Sequence, residues 1–252
     1  MVGGFLFVHA GWPSIFWLLT AVGIALLVLN WKLLPETLHE THKQAFYVGN
    51  LLRGYWSLAS NPRFLMLALA SGIPFNGMFL YVLSAPIFLG EILGLGPAQF
   101  FWFFVLSIAG ITSGAYVSGR MAGRVKPTHQ IRYGFVVMAA VAIANVALNL
   151  LFTPSPWWAL VPIALYGFGW ATMVPVVTLM VLDLVPERRG MASSLQAFVG
   201  STANGVVAGV VAPIVMHSAV ALAATSLGMM SIGVVSWLWV KHLRPAPAQR
   251  AA

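Results

Sequence analysis

Apolar residues gather into seven long runs separated by short polar breaks: Pro13 to Leu33, Phe64 to Phe88, Pro97 to Gly119, Tyr133 to Phe152, Trp157 to Leu182, Met191 to Val215 and Ala219 to Val240. Each holds roughly the 20 residues that a helix rising about 1.5 Å per residue needs to cross a hydrocarbon core of about 30 Å. None shows the short, strictly alternating pattern of a barrel strand. The pattern predicts an all-α membrane protein with seven spans. After the first run, Trp31-Lys32-Leu33-Leu34 meets Pro35, which stops the helix, and a connection of about 28 residues follows. Within it Val48, Leu51, Leu52, Tyr55, Trp56 and Ala59 recur at helical spacing, with Asn50, Arg53 and Ser57 on the other side. Two readings fit: an amphipathic helix on the membrane surface, or a packed loop helix with no membrane role. Asn61-Pro62 then opens the second span.

Composition supports the same class. At 60% hydrophobic and 7% charged, the chain lacks the polar surface of a water-exposed globule. The 13 Lys and Arg residues occupy alternate connections only. Lys32, Lys43, Arg53 and Arg63 flank the first long loop. Arg120, Arg124, Lys126 and Arg132 form the next group, Arg188 and Arg189 the third, and Lys241, Arg244 and Arg250 the last. Because basic loops are retained on the cytoplasmic side, the N-terminus is expected outside and the C-terminus inside. The net charge of +8 is spread over these loops without a stripe, which argues against nucleic acid and for an anionic leaflet as the partner. There is no cysteine, and Met1 to Gly11 lacks the basic n-region of a cleavable signal peptide. One lone span, a long basic connection and six closely linked spans read as a larger two-bundle protein cut inside its first bundle. The expected divisions are 1–34, a remnant of that bundle; 35–62, a cytoplasmic linker; 63–241, a six-helix bundle; and 242–252, a tail.

Several motifs fit one family in order and spacing. Gly3-Gly4, Gly11-Trp12 and Ile15-Phe16-Trp17 stand at the start, with Pro13 where that family usually has arginine. Leu69-Ala70-Ser71-Gly72, Phe75, Gly77-Met78-Phe79 and Ser84-Ala85-Pro86 follow, and later Pro186 with Gly190-Met191-Ala192-Ser193-Ser194-Leu195. With these the chain resembles the C-terminal half of a twelve-helix major facilitator superfamily transporter, in particular the bicyclomycin/chloramphenicol-resistance (Bcr/CflA) efflux subfamily. The resemblance implies a multi-pass protein of the bacterial inner membrane, formed from the end of helix 5 through helix 12. It implies export of amphipathic, drug-like small molecules by a drug:proton antiport type of transporter, with no cofactor or metal. It also implies a partner, the missing six-helix N-terminal half. Gly119-Arg120 and Gly123-Arg124 resemble the family's cytoplasmic loop signature without its aspartate. The competing expectation, from another class, is a truncated non-transporting membrane protein or a half-transporter partner subunit.

Within that frame, small residues at four-residue spacing mark faces where helices approach closely in lipid. Ser193, Ala197, Ser201, Gly205 and Gly209 form such a row, expected to be a packing seam, and Gly110, Gly114 and Ser118 form another. Beside the first, Gln196, Gly200 and Asn204 form a polar row expected to face a central cavity. Asn76, with Phe75, Phe79 and Tyr81 near it and Pro74 able to bend the helix, is a further cavity candidate, as are Tyr166 and Trp170, with Thr172, ahead of Pro175. Lipid contact or bundle packing is the competing reading for each aromatic. Asn145 and Asn149, one turn apart, are expected to hydrogen-bond between helices. Asp183 with Arg188 and Arg189 reads as a loop ion pair or a cytoplasmic gate, and Arg120 and Arg124 join the gating set. None of the five acidic residues and six histidines lies near the middle of a span, so a proton-binding carboxylate is expected in the missing half. His39-Glu40-Thr41-His42 lacks the one-turn histidine spacing of a zinc helix, and there is neither a phosphate-binding glycine loop nor a serine elbow. No enzyme is expected.

Overall fold

In the computed structural model, Leu6 and residues 10–34 and 47–242 are described. Gly3-Gly4, His39-Glu40-Thr41-His42 and the tail from 243 onward lie outside the described residues. The chain forms two units, Met1–Phe46 and Tyr47–Ala252. In the first, α1 (Pro13–Leu33) starts with Pro13 in its first turn, where a missing N–H costs nothing, and ends with Lys32 in its last turn.

The second unit opens with α2 (Val48–Ala59) and α3 (Pro62–Leu83). Asn61 caps α3, its Oδ1 accepting from the backbone N–H groups of Arg63 (3.0 Å) and Phe64 (3.4 Å), with Pro62 at the first helical position. A π-helical stretch, Pro86–Ile92, continues from α3 to a turn at Gly94, whose φ of 65° is open to glycine without strain. Then come α4 (Phe101–Met121), α5 (Pro127–Leu151) and α6 (Pro156–Leu182). α7 (Arg189–Val206) passes through a π-helical stretch, Val207–Val211, into Ala212–Val215, and α8 (Ala219–His242) completes the unit. Among the described residues there is no strand, and seven helices are long and apolar enough to cross a membrane.

Short connections make successive spans antiparallel, so Arg53, Arg63, Arg120, Arg124, Arg188, Arg189 and Lys241 collect at one end of the second unit. The helices overrun their apolar runs at that end. α5 begins at Pro127, six residues before Tyr133, because a helix continues into the polar interface where hydropathy no longer marks it. α6 is the central element, packing against α3, α4, α5 and α7. It meets α4 backbone to backbone: a Cβ at Gly110 would overlap the Ala164 carbonyl, and one at Gly114 the Phe168 carbonyl. The seam expected at Gly110, Gly114 and Ser118 is therefore closed. Ser118 is buried and accepts from Gln130 Nε2 of α5 (2.8 Å), whose second hydrogen goes to the Thr172 carbonyl (2.9 Å). Asn145 Nδ2 donates to the Tyr81 hydroxyl (2.9 Å), and Asn149 Nδ2 to the Asn145 carbonyl (2.8 Å). Asn145 thus ties α5 to α3, while Asn149 bonds within α5.

The row on α7, expected as a packing seam, is open among the described residues of the second unit. Ser193, Ala197, Ser201, Gly205 and Gly209 are all exposed, and a Cβ at Gly205 or Gly209 would meet nothing within 4 Å.

Candidate functional site

α3 and α7 cross almost in backbone contact, a Cβ at Gly72 coming within 3.3 Å of the Gly200 Cα. Next to this crossing a groove of about 360 Å³ lies between three helices. α3 contributes Ser71, Gly72 and Phe75; α6 contributes Trp170 and Val174. From α7 come Ser193, Gln196, Ala197, Gly200, Ser201 and Asn204, so both the polar row and part of the small-residue row line it.

Its polar groups converge on Ser71. Gln196 Nε2 donates to the Ser71 hydroxyl (3.0 Å) and to Thr178 Oγ1 (3.2 Å), and the Ser71 hydroxyl donates onward to the Ala68 carbonyl (3.0 Å). Trp170 Nε1 donates to the Ser71 carbonyl (2.9 Å). One residue of α3 is thereby held by α6 and α7 together. Neither Ser71 nor Thr178 was a site candidate from sequence. Ser71, Phe75 and Phe79 share one α3 stripe at four-residue spacing, which is the signal that would have found Ser71.

The aromatic wall is built on the same stripe. Phe75 lies 4.8 Å from Trp170 between ring centroids, tilted by 46°, and stacks on Phe79 at 5.5 Å and 21°. Such a wall can hold a flat apolar ring by offset stacking, while the amides beside it direct a polar substituent. Asn204 Oδ1 is buried there with no hydrogen-bond partner, an acceptor without a donor. No ionisable side chain lines the groove, so its own residues offer recognition and no proton exchange.

Other candidates lie elsewhere. Asn76, next to Phe75 and so about 100° around the helix, is fully buried and lines a separate groove facing α7 and α8. Its Nδ2 donates to the Gly72 carbonyl (3.0 Å) and its Oδ1 is unpartnered. Tyr81 and Tyr166 are interior groups. Tyr81 accepts from Asn145, and Tyr166 donates to the Pro74 carbonyl (2.9 Å), one turn from where Trp170 holds Ser71. Thr172 is also interior, donating to the Phe168 carbonyl (2.8 Å). The gating residues are not gathered into one cluster. Asp183 pairs with Arg189 at 2.9 Å, both well exposed, a pair worth at most about 1 kcal/mol in water. Arg188 reaches the surface of α2 at Gly54. The Arg120 guanidinium sits 5.1 Å from the Tyr116 ring centre, and Arg124 lies in the exposed turn after α4.

The sequence pattern described as Major Facilitator Superfamily matches residues 1–209. The chain is similar to a bicyclomycin resistance protein homolog of Haemophilus influenzae, 22% identical over 252 residues, covering 95% of this chain and 60% of that protein. It is similar to multidrug resistance protein D of Escherichia coli, 25% identical over 250 residues, covering 94% of this chain and 59% of that one. Multidrug transporter MdfA of Yersinia pestis is 24% identical over 169 residues, which are 67% of this chain and 41% of the relative. The chain thus spans at most about 60% of these relatives' length.

Proposed function

From the premise that this chain belongs to the Major Facilitator Superfamily, we propose that it is the C-terminal part of a multidrug efflux transporter that exports amphipathic small molecules. In this reading residues 1–34 are the end of helix 5 and helix 6, 35–62 a cytoplasmic linker, 63–241 the C-terminal bundle and 242–252 a cytoplasmic tail. The basic end of the bundle faces the cytoplasm of a bacterial cell, with the N-terminus outside.

One observation carries the proposal: the groove of Phe75, Trp170, Gln196 and Asn204 joins polar and aromatic groups in an apolar bundle, beside a row of small residues left exposed among the described residues of the second unit. A substrate site shared between two rocking bundles needs both features, a half-site and a face smooth enough for a second bundle to approach. Drug:proton antiport then requires the titratable group to come from that second bundle, because this groove holds none. Names of the similar proteins, bicyclomycin resistance and multidrug resistance, support the substrate class.

The test is co-expression with a six-helix N-terminal half in cells lacking their own efflux pumps. Drug resistance is expected to appear with both parts and to fall for Trp170→Ala and Asn204→Ala while the protein stays in the membrane. Resistance unchanged by both substitutions, for every compound exported, would remove this groove as the site.

A further inference from the structure

α7 carries a third face, about 200° around from Gln196, where Phe198, Thr202 and Val206 point away from the groove just described. Two apolar grooves meet on it. One of about 450 Å³ lies between α2 and α7 and includes Leu52, Trp56 and Phe198. The other, of about 420 Å³, lies between α7, α3 and α8 and includes Phe198, Thr202, Val206 and Ile232. Phe198 walls both, so they run end to end along α7 from Ser194 to Val207, a length of about 20 Å. That is close to the depth of one leaflet, about 15 Å of hydrocarbon plus its interface.

The mouth has its own chemistry. The bundle buries only part of the apolar arc of α2: Gly54 and Leu58 turn inward, while Val48, Leu52 and Trp56 stay out, Trp56 at 76% exposed. Arg53 stands one turn from Trp56, and Arg63 follows Ala59 of the groove across a tight turn. Neither α2 nor α3 contains an acidic residue. An apolar furrow about one leaflet deep at the basic end of the bundle, with Arg53 and Arg63 on the two helices next to its mouth and no acidic residue on either helix, matches an anionic phosphodiester carrying an acyl chain. A second protein bundle would be served better by the small-residue row on the other side of α7.

We propose that this furrow is a specific site for one anionic phospholipid of the leaflet on the basic side, its acyl chain along α7 past Phe198 and its phosphate beside Arg53 and Arg63. The bound lipid would fix α2 against α7, a contact otherwise made by the Tyr55 to Ser194 hydroxyl pair (2.8 Å) and Gly54 against Met191.

The test places the purified chain in vesicles of phosphatidylglycerol containing a fraction with a photoreactive acyl chain, and maps crosslinks by mass spectrometry. Labelling at Trp56, Phe198 and Thr202 is expected to exceed several-fold that at Leu150 and Leu165, which are exposed on other faces. Arg53→Gln with Arg63→Gln, or Thr202→Trp to fill the furrow, should lower it to the level of those faces and leave them unchanged. Exchange to phosphatidylcholine should do the same on the unsubstituted chain, which keeps the test intact if a variant does not insert. Equal labelling of all faces, furrow labelling indifferent to both headgroup and substitutions, or crosslinks there to a second copy of the chain would overturn the proposal.

Discussion

Two faces of this bundle carry the same kind of signal and have opposite fates. On α4, Gly110 and Gly114 lie one turn apart and are pressed onto the Ala164 and Phe168 carbonyls of α6. On α7, Ser193, Ala197, Ser201, Gly205 and Gly209 keep the same spacing and stay exposed, and a Cβ at Gly205 or Gly209 would meet nothing within 4 Å. In lipid, where hydrophobicity does not draw helices together, small residues bring association by letting backbones approach. The row says that a close partner is compatible and is silent about which one. Where the row borders an open polar groove, as on α7, the partner we propose is a second bundle; where its polar neighbours Gln130 and Thr172 are buried and already hydrogen-bonded, as on α4, it is a neighbour in the same bundle.

Substitution separates the two faces most strongly. Gly114→Leu must displace the α6 backbone and should destabilise the bundle by about 3 kcal/mol or more, whereas Gly205→Leu in the chain alone should stay within about 0.5 kcal/mol. Thermal unfolding in detergent, followed by circular dichroism, compares them. Equal losses would mean that the α7 row is already packed. A second substitution effect appears only with the partner: Gly205→Leu should abolish co-purification with a six-helix N-terminal half that the unsubstituted chain retains. Undiminished co-purification would leave that face without its proposed role.

Smaller effects come from the Ser71 node. Gln196→Leu removes two hydrogen bonds and Trp170→Phe one, at about 1 kcal/mol per bond, so both variants should remain folded with modestly lowered unfolding temperatures. Losses well above that would indicate a structural clasp more than a binding surface. The smallest perturbation tests orientation. The chain has no cysteine, and Gly96, at φ −69°, accepts one without the strain that Gly94 would impose. Gly96→Cys should react with an impermeant maleimide in intact cells. Reaction only after permeabilisation would invert the topology.

The helices were legible in the sequence because hydropathy is a property of each run alone. α1 and α6 start within a residue of their apolar runs, while α5 starts early because Thr128, His129 and Arg132 are helical outside the hydrocarbon core. The groove was legible where candidates sat on one stripe, as Gln196, Gly200 and Asn204 do. Neighbours in sequence part company in space: Phe75 reaches this groove and Asn76 lines another, a difference of one residue and about 100°. Tyr166 and Trp170 do share a stripe of α6, yet the first meets the interior at Pro74 and the second the groove edge at Ser71. Depth along a helix decides that, and depth depends on how neighbouring helices are placed.

The direct test of the central claim, that the open α7 face awaits a second bundle before anything moves, is transport by the purified chain. In liposomes with a proton gradient and a fluorescent drug, the chain alone should insert and produce no gradient-driven drug movement, while reconstitution with the N-terminal half should restore it. Gradient-driven movement by the chain alone would contradict that claim and make an assembly of this chain with itself the functional unit.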